Sequence, residues 1–220
     1  MTHLFSRCFP TADVFNRTLW PTAWRRSLCG RLACAWLVCV LAGLSVQGQT
    51  IFTTTVDVGS NGDAGQFASH AIVNGTPAVA YLNVSDGNLM FARNSAADGS
   101  GTWVVTLVDQ PGTVGQYASL AVVNGNPAIA YYDATNGDLK YVRATNASGT
   151  SWGTPVTVAS TGTVGEYTSL AVVNGNPAMA YYDNTNGDLK YVRATDASGT
   201  SWGTPVTPDS TGVVGQYTSL

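Results

Sequence analysis

The chain has 220 residues, a formal net charge of −3, only 10% charged residues and 24 glycines. That mixture is globular, and its Val, Tyr, Thr, Gly and Asn are the residues of strands and tight reversals. Beyond the first fifty positions the basic residues are Arg93, Lys140, Arg143, Lys190 and Arg193, against about twice as many carboxylates, which excludes the cationic footprint that nucleic acid or an anionic membrane requires.

Arg25, Arg26 and Arg31 precede the apolar run from Leu32 to Leu44, and small and polar residues follow at Ser45 to Gln49. This order reads as a secretory signal peptide over residues 1–48 with a cut after Gly48, and it predicts a secreted protein, extracellular or periplasmic. An uncleaved anchor is the alternative, although the run falls short of the ~20 apolar residues of a comfortable span. Cys8, Cys29, Cys34 and Cys39 all lie in this leader, so the mature domain is expected to rely on packing and strand pairing, with no disulfide and no membrane contact after cleavage.

From Gly65 the chain repeats every fifty residues, with Gly65-Gln66-Phe67, Gly115-Gln116-Tyr117, Gly165-Glu166-Tyr167 and Gly215-Gln216-Tyr217 opening successive copies. A period of this length marks a supersecondary unit that must stack on copies of itself to bury its apolar surface. In the copy that starts at Gly115, Ser119 to Val123 and Pro127 to Tyr132 flank Asn124-Gly125, a tight hairpin signal because both central residues need positive φ. A second turn over Asp133 to Asp138 leads to Leu139 to Ala144, and a third over Thr145 to Ser151 leads to Trp152 to Val158. Pro155 lacks a ladder hydrogen and places this fourth strand at the outer edge.

Four short antiparallel strands per repeat, apolar inside and polar outside, describe a β-propeller blade. The fold class is therefore all-β, with blades at about 66–108, 116–158 and 166–207 and partial blades at 51–58 and 215–220, in a repeat domain spanning 49–220. Thr55 to Val58 reads as an isolated fourth strand. Three blades fall short of the roughly four to eight that close a ring, so an incomplete propeller is expected, part of a longer protein or one that self-associates through open blade edges.

The third turn resembles the Asp-box of sialidase-like (BNR) propellers, which runs Ser-x-Asp-x-Gly-x-x-Trp between the third and fourth strands. Thr195-Asp196-Ala197-Ser198-Gly199-Thr200-Ser201-Trp202 keeps Gly199 and Trp202 in register with Asp196 one position early, while Asn146 takes the Asp place in the preceding copy and Asp98 to Trp103 slips by a residue. The resemblance implies a secreted bacterial propeller, and a structural role for the box.

First and third strands run in one direction, so the loops that enter them share a face. On it the candidate ligand-binding residues are Tyr117, Asp133, Asp138, Tyr167, Asp183 and Asp188. The Asp-x-Thr-Asn-Gly-Asp loops resemble oxygen-rich calcium loops without their ligand spacing, so calcium is possible, although turn chemistry alone accounts for these residues. No catalytic residue stands out: His70 replaces Leu120 and Leu170 in a core pattern, and no pair of carboxylates is singled out as a glycosidase would need. Tyr131, Tyr132 and Tyr141 read as packing, and Arg93, Arg143 and Arg193 as inter-blade partners of Asp. The function expected is binding or surface display with a carbohydrate or protein partner. The alternative is part of a sialidase-like or glycoside-hydrolase-like enzyme.

Overall fold

A computed structural model describes residues 63–220; the leader and the expected strand at Thr55 to Val58 lie outside this span. Asn74-Gly75, Asn124-Gly125 and Asn174-Gly175 all take positive φ, between 45° and 80°, as the hairpin chemistry requires. These reversals join β1 (Ala64–Val73) to β2 (Thr76–Asn83), β5 (Val114–Val123) to β6 (Asn126–Asp133), and β9 (Val164–Val173) to β10 (Asn176–Asp183). The third strands are β3 (Asn88–Asn94), β7 (Asp138–Arg143) and β11 (Asp188–Arg193), and the fourth are β4 (Trp103–Asp109), β8 (Val156–Ala159) and β12 (Val206–Asp209). Among the described residues they form three four-stranded antiparallel sheets, each a meander in chain order. The chain is all-β and built of β-propeller blades.

The fourth strand differs between blades for a reason visible in the sequence. In blade one Trp103 to Leu107 pairs residue by residue with β3 and a register shift precedes Asp109, whereas in the other two Trp152 and Trp202 make single bridges to Ala144 and Ala194. Pairing resumes only at Val156 and Val206. Pro155 and Pro205 have no N–H to give, so the strand expected over Trp152 to Val158 is broken there.

The core lies between blades. One cluster joins Leu89 and Phe91 of blade one to Val114, Ile129 and Tyr131 of blade two; a second joins Leu139 and Tyr141 to Val164, Met179 and Tyr181 of blade three. Each fully buried side chain of this size contributes roughly 1.5–3 kcal/mol. Polar contacts set the register: the N–H groups of Leu120, Leu170 and Leu220 donate to Ser69, Ser119 and Ser169 Oγ, each at 3.0 Å. The opening glycines of the second and third blades lie close against the strand backbone of the preceding blade. A Cβ on Gly115 would lie 3.1 Å from Leu89 Cα, and one on Gly165 2.8 Å from Leu139 Cα.

The third turns add a second contact layer. The Trp152 and Trp202 indoles donate to the Gly149 and Gly199 carbonyls at 2.9 Å and pack edge-on against Phe91 and Tyr141 of the preceding blade. Asp196 accepts from the Ser198, Thr200 and Ser201 N–H groups and from Thr200 Oγ1. Burial is the largest single influence and opposes its charge, but these donors together outweigh it and hold its carboxyl down at about 2. The turn resembling an Asp-box thus closes a loop and docks it on the neighbouring blade.

Two expectations change. Arg93, Arg143 and Arg193 do not pair with Asp between blades: each donates through Nε to the Val73, Val123 or Val173 carbonyl of its own blade, at 2.9–3.0 Å, and through a second nitrogen to the following Asn. They cap the last carbonyls before the Asn-Gly hairpins, a position where a two-pronged donor satisfies both acceptors. Arg143→Met is expected to lower stability by about 1–3 kcal/mol, with little rescue by Arg143→Lys, checked by urea unfolding. His70 is exposed, although Leu120 and Leu170, its register equivalents, are buried between blades.

Candidate functional site

The segments that open β1, β5 and β9 are bulged. Pairing of β5 with β6 slips between Val114 and Gln116 and again between Gln116 and Ser119, and β1 and β9 slip at matching places. The bulge forces Gly115 and Gly165 to φ 103° and 105°, and the aromatic residue two positions on into the left-handed region. Phe67, Tyr117 and Tyr167 each sit at φ 52°, and Tyr217 at 56°. A bulky side chain there is strained by about 1–3 kcal/mol, and such strain persists only where surrounding contacts impose it.

The contacts are aromatic. Phe67, Tyr117, Tyr167 and Tyr217 form one column across successive repeats, with ring centroids 4.7, 4.5 and 4.5 Å apart and planes tilted by 47–55°. Tyr132 flanks Tyr117 at 6.3 Å and Tyr182 flanks Tyr167 at 6.1 Å. The column is open to solvent: Phe67, Tyr117 and Tyr167 are half-buried, and Tyr217 is 79% exposed. Burial pushes the Tyr117 hydroxyl up, with Tyr167 opposing, while the Tyr117 hydroxyl pushes Tyr167 up. The residue before each ring is Gln66, Gln116, Glu166 or Gln216, so the column carries a carboxylate at Glu166, which accepts from Asn184 Nδ2 at 3.1 Å.

The aspartates divide differently. Asp133 is fully buried and Asp183 nearly so. Asp133 Oδ1 accepts the Thr135 and Asn136 N–H groups at 3.1 Å, and Oδ2 accepts Asn136 Nδ2 at 2.9 Å. Asp183 is held in the same way by Asn186. These carboxylates lock the second turn from inside instead of projecting from the loop surface. Asp138 is half-buried, its carboxyl pushed up first by burial and then by Asp133; Asp188 pairs with Lys190 at 3.0 Å. Of the six candidate residues, Tyr117 and Tyr167 come together on the exposed face, Asp133 and Asp183 belong to the blade junctions, and Asp138 and Asp188 open the third strands.

At the first junction Lys140 Nζ lies 3.1 Å from Asp133 Oδ2 and 3.4 Å from Asp109 Oδ2, and the Tyr131 hydroxyl donates to Asp109 at 2.5 Å. Burial works against the charge on Asp133, but the donors Asn136 and Lys140 together hold its carboxyl below the usual range. Burial likewise opposes the Lys140 ammonium, and Asp133 and Asp109 outweigh it, pushing Lys140 up. Tyr131 is pushed far up by burial and by Asp109.

No family model matches this chain, and no curated protein does. Solved structures with a similar chain course include an exo-β-1,3-galactanase from Phanerochaete chrysosporium, 14% identical, with 66% of this chain covering 38% of that one at a TM-score of 0.48. Others are an α-L-arabinofuranosidase from Clostridium thermocellum, 15% identical, with 63% covering 50% at 0.46, and the catalytic domain of a Coprinopsis cinerea GH62 α-L-arabinofuranosidase, 14% identical, with 64% covering 50% at 0.45. The chain spans half or less of the length of each of these three.

Phe67 and Tyr217 join the site although only their repeat position marked them. Tyr132, expected to pack, does so at 7% exposure, and its repeat equivalent Tyr182 at 5%, while both rings also wall the column. The signal that assembles the four rings of the column is the coincidence of a Gly-x-aromatic bulge with the fifty-residue period.

Proposed function

We propose that the aromatic column is a non-catalytic binding face for carbohydrate, on a protein exported through its N-terminal leader. The observation that carries this reading is the row of four rings at 4.5–4.7 Å, each held at positive φ beside a Gln or Glu. Aromatic faces pack against the C–H faces of sugar rings, and adjoining amides, carboxylate and phenol hydroxyls supply donors and acceptors for sugar hydroxyls. Repetition of one weak contact along the column favours a ligand that is itself repetitive, gaining through several subsites at once.

The test is binding of this chain to a panel of oligosaccharides by array and calorimetry. Tyr167→Ala is expected to weaken binding by tenfold or more, about 1.4 kcal/mol. Tyr167→Phe, which keeps the ring, should retain most of it. Equal binding by Tyr167→Ala and the parent chain would remove the column from the site.

A hydrolytic role is the second reading, favoured by Glu166, the carboxylate that breaks the Gln pattern of the other copies. It requires release of reducing sugar by the parent chain and its loss in Glu166→Gln. Tyr167→Ala binding data are independent of that outcome.

A further inference from the structure

The two blade junctions are built from the same donors and differ at one acceptor. Asp109, Ala159 and Asp209 are register equivalents, opposite Leu89, Leu139 and Leu189. At the first junction the Asp109 carboxylate receives the Tyr131 hydroxyl at 2.5 Å and Lys140 Nζ at 3.4 Å. At the second, Tyr181 and Lys190 occupy the places of Tyr131 and Lys140, but Ala159 has no carboxylate to offer. A cavity of about 390 Å³ opens there, lined by Ala159, Ser160, Thr161, Tyr181, Asp183 and Lys190 among others.

The lysines record the difference. Lys140 bridges the two junction carboxylates, whereas Lys190 Nζ turns to Asp188 at 3.0 Å and to Thr207 Oγ1 at 2.7 Å, with Asp183 at 3.5 Å. Asp183 is itself almost fully buried and lines the cavity, held by Asn186.

We propose that this cavity is a binding site for a small carboxylate, which takes the place that the Asp109 side chain fills one junction earlier. Tyr181 and Lys190 are the donors, arranged on the equivalent strands and in the same register as Tyr131 and Lys140, the pair that holds Asp109. The charged groups that line the cavity are Lys190 and Asp183, with Asp188 paired to Lys190 beside them; the first junction holds Asp109 next to the equivalent Lys140 and Asp133, so the charge pattern is one this fold accommodates. Ser160, Thr161 and Asn186 line one part of the remaining wall and Val158, Val164 and Pro205 another, so the ligand that fits is a small carboxylate carrying hydroxyls on a carbon frame, a hydroxy acid or sugar acid. The site is separate from the aromatic column.

The experiment is a titration of the nitrogen-15-labelled chain with acetate and with glucuronate, followed by amide shifts, with acetamide as the neutral isostere of acetate. Saturable shifts are expected at residues 158–164 and 181–190 with both carboxylates and not with acetamide. Tyr181→Phe should weaken acetate binding by about tenfold, the loss of one charge-assisted hydrogen bond. Ala159→Asp should abolish it by supplying the carboxylate from the chain, and should raise the urea midpoint. Absence of carboxylate-specific shifts in this region overturns the proposal, as does acetate binding unchanged in both variants. Should Ala159→Asp fail to fold, Tyr181→Phe alone decides, because removal of one hydroxyl leaves the packing in place.

Discussion

Gly165→Ala is expected to lower the stability of the chain by roughly 2–6 kcal/mol, the sum of backbone strain and overpacking. Gly165 sits at φ 105°, where an L side chain is strained, and the added Cβ would meet Leu139 Cα at 2.8 Å and Leu139 Cβ at 2.9 Å. The obstacle is strand backbone near the start of β7, paired on both sides, so neither partner has a flexible end to move aside. Relief requires the second and third blades to separate, which would loosen the cluster of Leu139, Val164 and Tyr181. Gly175→Ala is the control. It also has positive φ, 80°, but nothing lies within 4 Å of its Cβ, so only strain of about 1–2 kcal/mol should appear. The comparison is made by urea unfolding of both variants, with the slope monitored because a repeat array can lose cooperativity when one interface is weakened. Equal losses for the two would mean that the blades are not held at this closeness, and the docking scheme described above would fail.

The same glycine shows how far the sequence reaches. The Asn-Gly hairpins, the four strands per repeat and their stacking into blades follow from local chemistry, because two adjacent positive φ values and short apolar runs admit few other arrangements. The outer position of the fourth strand follows from Pro155, yet its interruption depends on which partner groups on β7 the missing N–H faces. The candidate site was half legible. Tyr117 and Tyr167 could be placed on a face by strand direction alone. Their contact could not be, because the bulge between Gln116 and Ser119 shifts the alternation of side chains, and alternation is what a reader extrapolates. Asp133 and Asp183 looked like surface ligands because Asp in a turn is as often exposed as engaged. The lysine that draws each one inward lies seven residues on, across a hairpin, and the second partner Asp109 comes from another blade. The arginines deceived for a related reason: identical placement in each blade fits an inter-blade ion pair and an intra-blade turn cap equally well.

Lys140→Met should be the other severe substitution, costing about 3–5 kcal/mol near neutral pH, because it leaves two carboxylates buried without their shared cation. The Lys140 side chain is 16% exposed, Asp109 7% and Asp133 not at all, so water cannot replace the ammonium at Asp133. The pH dependence separates this from a loss of packing. In the parent chain Lys140 is pushed up, so its contribution is complete below its unfolded value near 10.4 and is lost as pH rises through the higher folded value. Asp133 is held down, so its contribution is present above its unfolded value near 3.9 and is lost as pH falls through the lower folded value. Between these limits the parent should show a plateau from this cluster. In the variant the lysine no longer opposes burial, the Asp133 carboxyl rises, and the folded state takes up a proton more readily than the unfolded one. Its stability should therefore climb as pH is lowered from about 8 towards 5, and the difference from the parent should shrink over that interval. Urea midpoints measured across this range check both magnitude and slope. A deficit that stays constant with pH would point to lost methylene packing and would remove the shared-cation account of the junction.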